Sequence, residues 1–237
     1  LYKRSSFRVN PTVLTKVDEI LKGKSGIEFD NLRTAVNHIV DNKIPFWGVS
    51  IEDAINVLHH FRNHKNFNKV INGLASSGYR QRLGASYVLR QAKELGHTKI
   101  IGFEYLFTSE GKFAVDFLLT DGRLIECKSW DVISSINKIP ENELTKQLAN
   151  YFQTERFEMW FDFARFSQYP DYAQFSQAEA LTLIKQRYKA LFEKDNYSIF
   201  EKIKGPYLES KTISLISDFQ LEVQNINGKL YDFIKVK

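Results

Sequence analysis

Apolar and polar positions change their period along this chain. As far as residue 95 or so, apolar residues recur at spacings of three and four, the repeat of an amphipathic helix. Asn10-Pro11-Thr12 marks a first start, with asparagine as cap and proline in the first turn, and the helix runs to about Leu21, ending at Lys22-Gly23. Leu32, Val36, Ile39 and Val40 form the stripe of a second helix, capped by Asp30 or Asn31 and broken by Pro45 and Gly48. Ser50 caps a third, with Asp53 three residues later in the manner of a capping box. Ile55, Leu58 and Phe61 continue its buried face, and Val70, Ile71 and Leu74 extend the helical reading towards Ser76-Ser77-Gly78. Residues 1–77 therefore read as a helical N-terminal unit, preceded by a loose basic leader over residues 1–10.

A further helix led by Gly78 ends at Gly96, and the pattern then turns strand-like. Lys99–Phe107 is one run, and the stretch from Ala114 to Lys128 divides into two short strands at Asp121-Gly122, a strong turn signal. After a connection rich in Ser, Asn and Pro, a helix starts at about Glu141. Met159–Phe163 suits a fourth strand, and Ala178–Phe192 is a helix carried by Ala180, Leu181, Ile184, Tyr188 and Leu191. Ile213–Ile216 reads as a strand, and Phe219–Val223 with Leu230–Val236, around Asn227-Gly228, as a closing hairpin.

Register decides what the hairpin at 114–128 presents. A two-residue loop sets Asp116 opposite Cys127; a three-residue loop, Thr120-Asp121-Gly122, sets it opposite Glu126, with Gly122 at a left-handed position. The apolar pattern favours the second. Val115, Phe117, Leu119, Ile125 and Cys127 then share one face, while Asp116, Glu126 and Lys128 gather on the other. Two carboxylates and a lysine on one pleated patch are costly to desolvate without a purpose, and a hydrated magnesium ion supplies one. If Ser109-Glu110-Gly111 is a second loop of the same length, Glu104 joins the row opposite Asp116.

Charge adds a partner class. Residues 1–100 hold 16 Lys/Arg against 8 Asp/Glu, and no acidic residue lies between Asp53 and Glu94. That interval carries Arg62, Lys65, Lys69, Arg80, Arg82 and Arg90, with His59, His60 and His64, a stretch that favours polyanions and nucleic acid first. His60 and His64 share the zinc-site spacing i, i+4, but the glutamate of the zinc-protease helix is missing, so phosphate contact is the better functional reading. The single cysteine excludes an internal disulfide framework, and no apolar run reaches the length of a membrane span.

Asp116, followed after a tight hairpin by Glu126-Cys127-Lys128, resembles the signature of the PD-(D/E)XK nuclease superfamily, with Val115 where the motif's first proline stands. The match is closest to nuclease domains of bacterial polymorphic (contact-dependent) toxins, in which Gly-Ala-x-(aromatic)-x-Leu, here Gly84 to Leu89, precedes such a hairpin. Ser86 and Tyr87 stand where many members carry a helix glutamate, leaving Glu104 as its substitute. Gln147 and Tyr151, four apart on the next helix, resemble the glutamine–tyrosine motif of RecB-like members, which contacts the substrate backbone or orders the active-site lysine.

The resemblance implies an α+β or α/β protein with a restriction-endonuclease-like core, a mixed sheet flanked by helices, over residues 78–237. It implies Mg²⁺ or Mn²⁺ on Asp116, Glu126 and the Cys127 backbone carbonyl, with Glu104 as a further ligand and Lys128 beside the attacking water. The expected activity is metal-dependent phosphodiester hydrolysis of DNA or RNA, with Tyr151 among the nucleic-acid contacts. A toxin domain would be delivered as part of a larger protein, act in the cytoplasm and meet a dedicated immunity protein. Three rivals use the same features: a cellular restriction or repair enzyme, a nucleic-acid-binding module on a degenerate core, and a metal-independent ribonuclease working through His60, His64 or His97.

Overall fold

Local capping signals fix the first helices. The Asn10 side chain accepts the Thr12 amide and opens α1 (Pro11–Leu21). α2 (Gly26–Val40) starts four residues before the expected cap, because Ser25 already has the extended backbone of a cap residue. The Ser50 hydroxyl accepts the Asp53 amide at the head of α3 (Ile51–Phe61). Hydrogen-bonded by Ser50 as well, the Asp53 carboxylate pairs with Lys93 at 2.8 Å. That contact holds the Asp53 carboxyl below its usual range and Lys93 above its own. Asn66, left-handed at φ 63°, separates α3 from α4 (Phe67–Ala75), so the helical reading of 50–75 resolves into two helices. α5 (Tyr79–Leu95) ends at Gly96. A Cβ on Gly73 would lie 2.8 Å from that of Ala85, so α4 and α5 approach closely only with glycine there.

The computed structural model describes residues 10–41, 43, 49–107, 113–129, 140–168, 170 and 173–237. The leader, the breakers Pro45 and Gly48, the loop Ser109-Glu110-Gly111 and Asp171 lie outside the described residues. The chain divides into two compact units, Leu1–Tyr105 with Asp116–Asp121, and Leu106–Val115 with Gly122–Lys237.

The first unit holds α1–α5, most of β1 (Ile100–Leu106) and most of β2 (Ala114–Leu119). Its centre is a cluster of phenylalanine rings. Phe103 lies 5.1 Å from Phe61, 4.8 Å from Phe67 and 5.4 Å from Phe117, centroid to centroid. Val115, Phe117 and Leu119 are buried and alternate with half-buried Ala114, Asp116 and Leu118, as the hairpin pattern requires.

In the second unit β3 (Leu124–Lys128) is followed by α6 (Glu141–Tyr151) and β4 (Phe157–Phe161), a crossover that makes β3 and β4 parallel. α7 (Phe163–Phe166), α8 (Gln177–Tyr197), α9 (Phe200–Ile203), α10 (Pro206–Ser210) and α11 (Ile216–Gln224) follow. A 3₁₀ turn over Lys229–Phe233 leads into β5 (Ile234–Val236), parallel to β4. α8 opens on a capping box in which Ser176 and Glu179 exchange bonds. Its last turn breaks at Asp195 and Asn196, both left-handed. The strand expected at 213–216 and the first arm of the closing hairpin are not strands. Phe219 and Val223, four apart, form the buried face of α11 instead, and only the last residues of the chain join the sheet.

The protein is thus α+β, with a five-stranded mixed sheet in the order β1-β2-β3-β4-β5 flanked by helices. Among the described residues, no helix is long and apolar enough to cross a membrane.

Candidate active site on the third strand

The turn before β3 forms as the sequence requires, with Gly122 left-handed at φ 82°. Register then places the motif residues of the strand. Leu124 pairs with Phe157, Glu126 with Met159 and Lys128 with Phe161, and Met159 and Phe161 pair in turn with Ile234 and Val236. Paired residues of neighbouring strands share a face. Glu126 and Lys128 therefore project from the same face as Met159 and Phe161, which are buried. Ile125 and Cys127 project from the other, with Glu158 and Trp160. Both faces of β3 are covered at its start, since Leu124 and Ile125 are both buried.

On this face Lys128 Nζ donates to Glu126 Oε1 at 2.7 Å, with the two side chains only 12% and 15% exposed. α8 closes over the same strands. The Tyr188 hydroxyl donates to Met159 Sδ at 3.3 Å, and burial pushes the phenol well above its usual range. The Glu126 carboxylate pushes it the same way, while Arg187 opposes. A carboxylate and an ammonium withdrawn from water contribute little net stability, because desolvation offsets most of their attraction. Such a pair beside a buried phenol, near the carboxyl end of parallel strands, marks a candidate site.

The structure treats the other expected residues unequally. Asp116 is half-buried on β2, as is Glu104 on β1. Glu104 is left-handed at φ 45°, and its carbonyl accepts from Asn66 Nδ2 at 3.4 Å. For a residue with a Cβ that conformation costs about 1–3 kcal/mol. Cys127 is half-buried. Gln147 is half-buried on α6, and its Oε1 has no hydrogen-bond partner among the described residues. Tyr151 is 5% exposed and stacks on Phe157 at 4.4 Å, so here it packs the core rather than offering a nucleic-acid contact.

The basic stretch divides in the same way. Lys65, Lys69 and Arg80 are exposed. Arg62 donates to the His59 carbonyl, and Arg82 to the carbonyls of Ser76 and Ser77 at 2.8 and 2.7 Å, so both are tied to backbone. Arg90 is 7% exposed, with its guanidinium 5.0 Å from the Tyr87 ring.

His60 and His97 stand ring to ring at 4.1 Å. Desolvation first, then the charges of His97, His59, His64 and Arg62, hold the His60 pKa below its ordinary 6.5. A depressed histidine pKa means that the unfolded chain binds the proton more readily. Its stabilising contribution is complete above pH 6.5 and is lost as pH falls from there through the lowered value. His60→Gln should therefore flatten the decline in melting temperature below pH 6.5. An identical pH profile in the variant would show that this cluster does not couple to folding.

Among the described residues, no three His, Cys, Asp or Glu side chains gather into a group that could hold a metal ion. A cation here would rest on fewer protein ligands. Magnesium commonly does so, taking one or two carboxylates and keeping its waters, and Glu126 is a donor of that class.

Sequence reading passed over three residues of this neighbourhood. Tyr188 and Asp162 lie 62 and 36 residues beyond Glu126, and Ser129 directly follows Lys128. Asp162 carried a signal: it is an acid at the carboxyl end of an aromatic strand, where α/β sheets place their sites. No family model, curated protein or solved structure matches this chain.

Proposed function

We propose that the chain is a metal-dependent nuclease of PD-(D/E)XK type, built on a restriction-endonuclease-like core. The observation that carries this reading is the Glu126–Lys128 pair, withdrawn from water on an apolar face of β3. Its composition, spacing and strand position are those of the Glu-x-Lys half of the motif. The motif's other carboxylate is Asp116 on β2.

Glu126 and Asp116 would hold Mg²⁺ or Mn²⁺, with the Cys127 carbonyl as a further donor. When bound, such an ion acidifies water and neutralises charge on a phosphodiester. Lys128 orients the attacking water and stabilises charge developing on the phosphoryl oxygens. For it to do so, the ammonium must exchange Glu126 for the substrate, so the observed ion pair is the resting arrangement. Gln147, whose carbonyl oxygen lacks a partner among the described residues, is available to orient a water or a substrate donor. Lys65, Lys69 and Arg80 would steer the polyanion.

The source of the reaction's substrate follows from the resemblance alone. A toxin domain cleaves the nucleic acid of a target cell and is held in check by an immunity protein; a restriction or repair enzyme uses the same residues. One observation favours a second reading, a binding module on a degenerate core: Glu126 is occupied by Lys128, and no third ligand gathers among the described residues.

Mn²⁺ binding followed by electron paramagnetic resonance separates the two. The nuclease reading expects the wild-type chain to bind Mn²⁺ at neutral pH, and Glu126→Gln to bind it at least about tenfold more weakly. Absence of Mn²⁺ binding by the wild type would favour the binding module.

A further inference from the structure

At the carboxyl end of β3 a buried carboxylate holds the residues that follow the motif. Asp162, the residue after β4, is 3% exposed. Its backbone N–H donates to the Lys128 carbonyl at 3.0 Å, continuing the ladder in which Lys128 pairs with Phe161. Its side chain is engaged on both oxygens. Oδ2 accepts the Ser129 hydroxyl at 2.9 Å, and Oδ1 accepts the Arg165 amide at 3.2 Å at the head of α7. The segment beyond Asp162 is anchored as well, because Phe163 donates to the Lys237 carbonyl at 2.8 Å and Lys237 returns a bond to Phe161 at 2.9 Å. Residues 128 and 129 are thus clamped to a fixed frame by one main-chain and one side-chain bond. The side-chain bond depends on sequence; the main-chain bond does not.

The Ser129 hydroxyl and the Arg165 amide offset part of the cost of burying this carboxylate. What the carboxylate adds is a fixed direction for the chain leaving Lys128. A lysine stem has four rotatable bonds, so placing its ammonium within a few tenths of an ångström depends on how firmly its backbone is held.

We propose that Asp162 and Ser129 are positioning residues for Lys128, fixing the end of β3 so that the ammonium is aligned with Glu126 at rest and with the scissile phosphate once substrate is bound. The inference rests on the nuclease reading for its catalytic consequence. Its geometric part, the hold on Lys128, stands apart from that reading.

Two measurements test it together. In cleavage assays Ser129→Ala should lower kcat by about tenfold or more with KM and Mn²⁺ affinity unchanged, while Ser129→Thr, which keeps the hydroxyl, recovers most of the rate. A merely structural bond would lower the melting temperature and leave the kcat of the folded fraction alone. Reductive methylation read by mass spectrometry follows the same contact without cleavage. Lys128 should be modified several-fold faster in Ser129→Ala and in Asp162→Ala than in the wild type, with the exposed Lys204 as an internal control. An unchanged kcat in folded Ser129→Ala, with Lys128 protected as in the wild type, overturns the inference and leaves the nuclease reading standing. Failure of the wild type to cleave overturns the nuclease reading and the catalytic consequence with it; the methylation rates then decide whether Asp162 and Ser129 hold Lys128.

Discussion

Lys128→Met is expected to lower cleavage by about a thousandfold and, separately, to destabilise the second unit. The kinetic loss follows from removing a cation that the nuclease reading aims at charge developing in the transition state, where a single donor is worth about 10²–10³ in rate. The stability loss has another origin. Methionine replaces the lysine stem, but it leaves the Glu126 carboxylate withdrawn from water without its 2.7 Å partner. Removing one member of a buried pair costs about 3–5 kcal/mol, and loss of Lys128 should fall at the low end of that range because both side chains keep some exposure. The double variant Glu126→Gln/Lys128→Met separates the effects. Stability should return to near the wild-type value, since a neutral amide replaces the stranded charge, while activity stays absent. Cleavage by the double variant would show that the pair is structural.

The second large effect lies in the first unit and does not involve the chemistry. Phe103→Ala is expected to cost about 3–5 kcal/mol, read as a lower denaturant midpoint with little change in slope. Phe103 is fully buried and touches the rings of Phe61, Phe67 and Phe117, which come from α3, α4 and β2. Its removal opens a cavity bounded by three elements, none of which can close it alone. Phe103→Leu should cost less, because it keeps most of the volume. A loss under 1 kcal/mol in Phe103→Ala would mean that the helices reorganise around the gap, contrary to the close packing described.

How legible this was in the sequence depended on whether the deciding contact was local. Asn10 and Ser50 cap helices through bonds to amides two or three residues away, and Gly122 takes the left-handed turn that its neighbours require. Those features could be read directly. The Glu126–Lys128 pair was also readable, because i and i+2 on a strand always share a face. What that face meets was not. It is set by β4 and α8, through Met159, Phe161 and Tyr188, which lie 33 to 62 residues further on. Tyr151 shows the same limit from the other side. Its helix spacing with Gln147 suited a substrate contact equally well, and stacking on Phe157 decided for the core. The segment 213–223 was misread because a short apolar run does not distinguish period 2 from period 3.6 until Phe219 and Val223 find the same buried surface.

The central claim is that Asp116, Glu126 and Lys128 act together on a phosphodiester. It is tested most directly by incubating the protein with plasmid DNA and with total RNA, in Mg²⁺, Mn²⁺ or EDTA, beside Asp116→Ala. The account predicts cleavage of at least one of the two that requires the metal and is lost in the variant. Cleavage that persists in EDTA or in Asp116→Ala, or tight binding to nucleic acid with no cleavage of either, would contradict it.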